Sequence, residues 1–543
     1  DAFPPPSTLW ETVRHLRWRQ IRHQLAFRLL PARPLPPPLA LRWRRQTLRV
    51  PRPRNSCYVH FDGKARFRFN NEAREFSGDW SDPGARMLWL NNLNDMTWLF
   101  EVEDGGREAW IRKWTDANPP GGASAYWGPY AMSLRLFNWC KHYRLAGSEP
   151  DAGVLASMGA QAAGLLANLE YHLDANHLLE NAFGLASIGF CLDPGDAKAM
   201  RAQARIGALL REQLEDQFLA DGSHCELSPM YHAIALERLL DLLNAWPDRE
   251  DPFPGFKERA EAIALKALDW LAVMSVGGRF ALFNDSAYDS APDADLLLEY
   301  GARLLGFSPR PPSALRVLPV SGYYRAEAGP FTLLFDGGPM GPDHQMGHAQ
   351  GDMLSFCLWM REKPILVHPG IFEYLRGPMR DYNRSTAAHN TVAVEGCEQA
   401  EFWAAHRVGR RGRPREVSAA ADGDSGTVRI RGAHDGFARL PGRPLHVREA
   451  ALGPDGLKVR DRLTADPGRA AGAYFHFHPD CVLERQEDTI RIRSSAGILA
   501  LRADQPMRIE ESWYCPEYGL RIPNLAVRVE CGRAGCATRL SED

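Results

Sequence analysis

The chain has 543 residues, a formal net charge of −2, 45% hydrophobic residues and 24% charged residues. That length exceeds one hydrophobic core, so two or more domains are expected. The near-neutral charge gives no support for a nucleic-acid partner, and no apolar run reaches the ~18 residues that span a bilayer. Residues 1–55 mix basic helix-like segments ("RHLRWRQIRHQLAFRLL") with proline clusters ("PARPLPPPLA"), as in an arm laid over a larger body. Residues 56–312 form the second unit, in which the helical period dominates from about 85 to 306, as in "YAMSLRLFNWCKHYRLAG" and "AIALERLLDLLNAW". Several of these runs are apolar on more than one face, as expected where helices pack in two concentric layers. From about 318 to 543 the period changes to two, in short alternating runs such as "TVRIRGAHDG" and "NLAVRVEC" between turn signals. That is the pattern of an antiparallel sandwich. Helices first and strands second argue for separate domains, a helical one and then a β one.

Ten cysteines are scattered without CxxC pairs, so neither a zinc ribbon nor a dense disulfide scaffold is suggested. Cys531 and Cys536 are close enough in sequence to bridge, and two free buried thiols are the equal alternative. The chain begins with Asp1 and has charges where a signal peptide needs its apolar centre. Compartment stays open between periplasmic or secreted and cytoplasmic, and so does oligomeric state. There is no GxGxxG after a strand, no GxxxxGK[ST], no GxSxG and no HExxH, which argues against nucleotide cofactors, serine acyl chemistry and zincin proteolysis.

Four stretches carry polar residues where a helix or strand needs none. In "ANHLLENAFGLASIGF", Asn176, His177, Glu180, Asn181 and Gly184 share one arc of an otherwise apolar helix. A buried polar side chain costs a few kcal/mol unless hydrogen-bonded, so the strip is either an interhelical network or the wall of a cleft. In "DGSHCELSPMYH", Ser228-Pro229 reads as an N-cap with proline at the first helical position. Tyr231 then falls in the first turn, where backbone dipoles favour a phenolate, next to His224, Glu226 and His232. His348 lies in the Gly-rich loop "DHQMGHAQGDMLSF" just before a strand. "RGPMRDYNRSTAAHNTVAVEG" gathers Arg376, Arg380, Arg384 and His389, a density suited to carboxylate or sulfate recognition, with surface arginines as the alternative.

At these residues the sequence resembles the heparinase II/III-like family of polysaccharide lyases, through "WGPYAMSLRLFNW", "NHLLENA", "DGSHCELSPMYH", "GHAQGDMLSF", "RDYNRSTAAHNTVAVEG" and "EFWAAHRVGRRGRP". The last resembles the bacterial branch linked to surface-polysaccharide gene clusters. The resemblance implies an incomplete (α/α) toroid followed by an antiparallel β-sandwich, and β-elimination at a uronic acid of an anionic polysaccharide. It implies that Asn176 and His177 neutralise the carboxylate. It makes Tyr231 the general acid, and in some stereochemistries also the base, with His348 the base or its partner. Arg135, Glu180 and Arg384 are implied as substrate or neighbouring contacts. No cofactor is implied for the chemistry itself. The family's sandwich often holds a metal with two histidines and an aspartate; the matching positions here read Gln350, His368 and His389. A Gln/His/His set is a poor zinc site or a metal-free hydrogen-bonded cluster, and its role where present is structural.

Two rival readings fit the same residues. A glycoside hydrolase on an α/α toroid has Glu180, Glu226 and Asp285 as its candidate carboxylates. A catalytically degenerate polysaccharide-binding protein is the other.

Overall fold

A computed structural model describes residues 4–30, 34–45, 48–52, 60–62, 65–121, 125–247 and 251–543. The boundary placed at residue 55 lies outside them. A three-stranded sheet, His60–Phe61, Arg66–Phe69 and Glu72–Glu75, precedes the helices. The sequence reading missed it, because its strands are two to four residues long. Its Phe67 packs edge-on to Trp98, centroids 4.8 Å apart, under the helical half.

The helices run Met87–Asp95, Asp104–Ala117, Pro129–Ala146, Ala152–Ala167, Ala175–Gly189, Ala197–Gln217, Pro229–Asn244, Lys257–Val273 and Ala294–Leu305. Their ends follow local chemistry. Asp151, Asp196 and Ser228 cap N-termini by accepting from Val154, Ala199 and Tyr231 N–H, and Gly147 and Gly306 end helices at φ near +60°. Pro129–Ala146, Ala175–Gly189 and Pro229–Asn244 are buried around most of their circumference, whereas Ala197–Gln217 buries one stripe. The first three are the inner layer of an incomplete (α/α) toroid; the last belongs to its outer layer.

The strands of the β half pair antiparallel in each of its sheets. A five-stranded sheet is ordered Lys363–Leu366, Phe356–Met360, Phe331–Asp336, Tyr323–Ala328, Leu315–Leu318. A four-stranded sheet is ordered Val392–Val394, Ala471–His476, Leu520–Glu530, Met507–Glu517, and an eight-stranded sheet runs from Pro414–Asp422 to Val482–Gln486. Alternate residues such as Val428, Ile430, Leu457 and Val459 enter one sandwich core. Cys531 and Cys536 sit there as free buried thiols.

The two halves share buried surface. Val367, Ile371, Tyr514 and Tyr518 of the β half belong to the helical core, and Trp270 packs with Tyr323, Leu334 and Cys357. The Tyr323 hydroxyl donates to the Leu227 carbonyl at 2.7 Å, and Asp221 accepts from Ser321 N–H at 2.7 Å. The N-terminal arm straps both halves. Its helix Pro6–Val13 lies on the hairpin Ala400–Ala404/Arg407–Arg411, where Thr12 donates to the Val408 carbonyl at 3.0 Å. Its helix Trp18–Leu29 meets the toroid, with Arg17 donating to Asp216 at 2.9 Å and Gln20 donating to the His344 carbonyl at 3.1 Å.

Candidate active site

The polar strip of helix Ala175–Gly189 divides into two jobs. Asn181 donates to Ser133 Oγ at 2.9 Å and to Glu170 Oε2 at 2.8 Å, and accepts from Glu170 N–H. Gly184 lies against the backbone of Ser133 so closely that a Cβ would stand 2.5 Å from the Ser133 carbonyl oxygen. These two residues join helices. Asn176 and His177, one turn earlier, are left half-buried, and Glu180 is the residue of this strip that lines the cleft. The helix starts under strain, with Asp174 at φ +62° and Ala175 at φ +45°. Asp174 Oδ1 accepting from Ala175 N–H and Gln217 donating to the Ala175 carbonyl hold it there.

His348 comes to Asn176 from the other half of the molecule. Its Nε2 is 3.4 Å from Asn176 Nδ2 and 3.2 Å from Glu226 Oε2. Glu226 Oε1 accepts from both the backbone N–H and the side-chain amide of Asn176, at 2.8 and 2.7 Å. On the other edge of the imidazole, Nδ1 lies 3.1 Å from Asp285 Oδ2. Arg380 clamps that carboxylate with two bonds of 2.6 and 2.8 Å. Burial opposes ionisation of Asp285, but Arg380 and His348 hold its carboxyl well below the ordinary range. Glu226 is likewise lowered, because His348, His224 and Asn176 outweigh its burial. His177 stands 3.2 Å from Glu170 Oε1, and that carboxylate raises the imidazole pKa against the effect of burial.

The Tyr231 ring stacks on His348 with centroids 4.1 Å apart. Its hydroxyl is 2.7 Å from that of Tyr374, which in turn accepts from the Tyr518 hydroxyl. Helix and sandwich thus contribute to one chain of three phenols. These rings line a cleft of about 130 Å³ together with Glu180, Arg238 and Tyr130. The N-cap at Ser228 places Tyr231 as the sequence predicts, but the phenolate expected there is not favoured. Burial, and then the Tyr374 and Tyr130 hydroxyls, push the Tyr231 phenol well above its ordinary value. Desolvation outweighs the helix-end dipole.

Two arginines predicted as substrate contacts are structural. Arg135 is fully buried, donating to Gln161 Oε1 at 2.8 Å and to the carbonyls of Asn94 and Tyr126 at 3.0 Å, and it stacks on Trp114. Arg384 is buried, donating to the carbonyls of Ala349 at 3.1 Å and Ala404 at 2.7 Å, and so pins the hairpin to the His348 loop. Burial pushes both guanidinium groups down to about 9. Glu180 does reach the cleft, 3.5 Å from Arg238 Nε. Of the three carboxylates of the hydrolase reading, Glu226 and Asp285 are engaged by Asn176 and Arg380, while Glu180 stays in the cleft beside Arg238.

This two-domain arrangement has known counterparts. Residues 68–290 match the family description "Heparinase II/III N-terminus" and residues 310–541 match "Heparinase II/III-like, C-terminal". The chain belongs to the heparinase II/III-like family of polysaccharide lyases. A solved heparinase III is similar in fold, with TM-score 0.65, 15% identity, and cover of 83% of this chain and 76% of that one. A heparan sulfate lyase HepC from Pedobacter heparinus gives 0.57, 16%, 87% and 80%. A chondroitin AC lyase from Streptomyces coelicolor A3 gives 0.51, 11%, 100% and 80%. No curated protein sequence matches the chain.

The family's metal position is built differently from the Gln350, His368 and His389 set alone, because Asp352 completes it. One ligand atom each from Asp352, His368 and His389 lie within 4.8 Å of one another, all buried. His389 Nδ1 is 2.7 Å from the Ser385 carbonyl and its Nε2 is 2.9 Å from Gln350 Oε1. Burial pushes this imidazole down to about 3, so it carries one proton and faces two oxygen acceptors. Turning the Gln350 amide over would break its 2.8 Å bond to Asp285 Oδ1. Asp352 Oδ1 is buried without a hydrogen-bond partner. These unmatched lone pairs fit a cation. His368 is already satisfied, accepting from Gly370 N–H at 3.1 Å and facing Asp352 Oδ2 at 3.3 Å.

Proposed function

We propose that the protein cleaves a uronate-containing polysaccharide by β-elimination. The observation that supports this most is that Asn176 and Tyr231 of one folding unit meet His348 of the other, within hydrogen-bonding and stacking distance respectively, with Tyr231 lining the cleft. The C5 proton of a uronate is weakly acidic, so its carboxylate must be neutralised before the proton leaves. Asn176 offers an amide donor, and His177, kept basic by Glu170, offers a positive charge.

Asp285, fixed by Arg380, accepts from His348 Nδ1–H and orients the ring, so that Nε2 takes the C5 proton. Glu226 beside Nε2 offsets the positive charge that then develops. The C4=C5 double bond forms as the C4–O4 bond breaks, and Tyr231 gives its proton to the departing O4. A phenol held far above its ordinary pKa keeps that proton at neutral pH. A divalent cation held by Gln350, Asp352 and His389 with His368 alongside would supply structural cross-linking. Gln350 then ties this cluster to Asp285, two bonds from the imidazole.

Incubation with alginate, heparan sulfate, hyaluronan and chondroitin should produce the absorbance of a 4,5-unsaturated uronate from at least one polymer. Products without that band would mean hydrolysis, and no products at all would leave the binding-protein reading. Tyr231→Phe is expected to lower kcat by about 10²–10⁴-fold while most binding remains.

A further inference from the structure

A second cationic site lies in the sandwich. In the four-stranded sheet, Arg528 is the register partner of Arg508 on one side and of Tyr474 on the other. Two guanidinium groups directly opposite across an antiparallel pair repel. Arg508 has Glu530 at 3.5 Å, but both are well exposed, and such pairs are weak. Among the described residues Arg528 has no carboxylate or hydrogen-bond partner. Its side chain lies flat over the neighbouring strand at Gly472, where a Cβ would come within 2.7 Å of its Nε and 3.0 Å of its Cγ. Absence of a side chain at 472 is what makes room for it.

Arg528 and Arg508 line a groove of about 780 Å³ with Arg469 and Arg533. Among the described residues Arg469 donates to the carbonyls of Glu395 and Gly396, both at 3.1 Å, and to no carboxylate. Arg533 meets Asp466 at 3.3 Å, an exposed pair. The lining therefore sets four guanidinium groups against two carboxylates, Asp466 and Glu530. It shares no residue with the cleft that holds Tyr231.

We infer that this groove is a non-catalytic binding site for the carboxylate or sulfate groups of an anionic saccharide chain. The inference rests on the proposed function only in taking a polysaccharide as the partner. Guanidinium forks pair with both groups, and a groove outside the cleft would hold a polymer while a short saccharide occupies the catalytic residues.

The test uses the full chain carrying Tyr231→Phe, so that binding is read without turnover. Affinity electrophoresis through gels containing heparan sulfate, alginate or neutral dextran compares it with Arg469→Ala/Arg528→Ala added. Binding to at least one of the anionic polymers is expected to weaken about fivefold, less so as salt rises, with dextran unchanged. Arg528→Lys, which keeps the charge but not the fork, should weaken binding less than Arg528→Ala does, and this separates loss of a cation from loss of the fold. In the otherwise wild-type chain, the double substitution should leave turnover of a tetrasaccharide unchanged and raise KM for the polymer. Equal retardation of parent and double variant in both anionic gels overturns the inference. Arginine-dependent binding without any unsaturated product would instead remove the elimination reading and leave this site standing.

Discussion

Tyr374 decides where the proton of Tyr231 points. Each phenol has one proton, and Tyr518 donates its own to Tyr374. The Tyr374 proton is then left for the Tyr231 oxygen 2.7 Å away, which frees the Tyr231 proton for the cleft. Tyr374→Phe removes that donor while keeping the ring against His348, centroids 5.6 Å apart. Turnover of the uronate polymer found to be cleaved should fall about tenfold, the equivalent of one hydrogen bond in the transition state, with KM little changed. Steady-state kinetics on that polymer checks it; an unchanged kcat would remove the phenol chain from the mechanism. As residues that come together, Asn176, Tyr231 and His348 were legible because each sits in a local polar motif where helix or strand packing asks for none. Tyr374 and Tyr518 were not, since nothing nearby in sequence marks a tyrosine that will meet Tyr231 from another domain. Arg135 and Arg384 were misread for the opposite reason. A guanidinium that spends its donors on backbone carbonyls looks, in sequence, like one waiting for a carboxylate.

At the scale of elements, the helix Ala175–Gly189 carries both Glu180 of the cleft wall and a backbone-close contact within the inner layer of the toroid. Its approach to Pro129–Ala146 is set by Gly184, where a Cβ would meet the Ser133 carbonyl oxygen at 2.5 Å, its Cα at 2.7 Å and its carbonyl carbon at 2.9 Å. These are backbone atoms, so no side chain can rotate away. Gly184→Ala therefore has to separate the two helices, and a cost of about 1–3 kcal/mol follows from overpacking a dense core. Better helix propensity returns only about 1 kcal/mol of it. A thermal melt should show a clear fall in Tm, and an unchanged or higher Tm would mean that the close approach is not required. Helical periodicity placed this element correctly, because fifteen residues give the period time to repeat. It could not separate the residues of the polar strip that join helices from those left half-buried, since both lie on one arc. The small N-terminal sheet escaped because two- to four-residue strands are too short for any period to register.

Across the whole molecule, the division into a helical and a β half was legible from the switch of hydrophobic period, and the surface between them was not. Both halves, moreover, bury histidines in one protonation state. Burial, before any other cause, pushes His224 and His476 down to about 4 and His232 and His389 down to about 3. His224 and His232 come from the toroid, and His389 and His476 come from the sandwich, so both halves carry the same liability. Each folded-state pKa lies below the ordinary 6.5, so between pH 6.5 and about 4 the unfolded chain takes up protons that the folded one does not. Stability therefore falls as pH drops through that window, by up to about 1.4 kcal/mol per pH unit for each such histidine. His177, Glu180, Asp95, Asp289 and Asp336 work the other way, their raised pKa values favouring the folded state as pH drops, but burial also pushes His406 and His434 down and adds them to the four histidines above. Thermal melts at pH 7.5 and 5.0 should then differ by many degrees, with the lower Tm at pH 5.0, whereas Tm should change little between pH 7.5 and 8.5. If a cation occupies the His389 position, protons compete with it there, and a chelator should narrow the gap by lowering the pH 7.5 value more than the pH 5.0 value. Equal melting temperatures at pH 7.5 and 5.0 would mean that these histidines are charged, or exposed, in the folded protein.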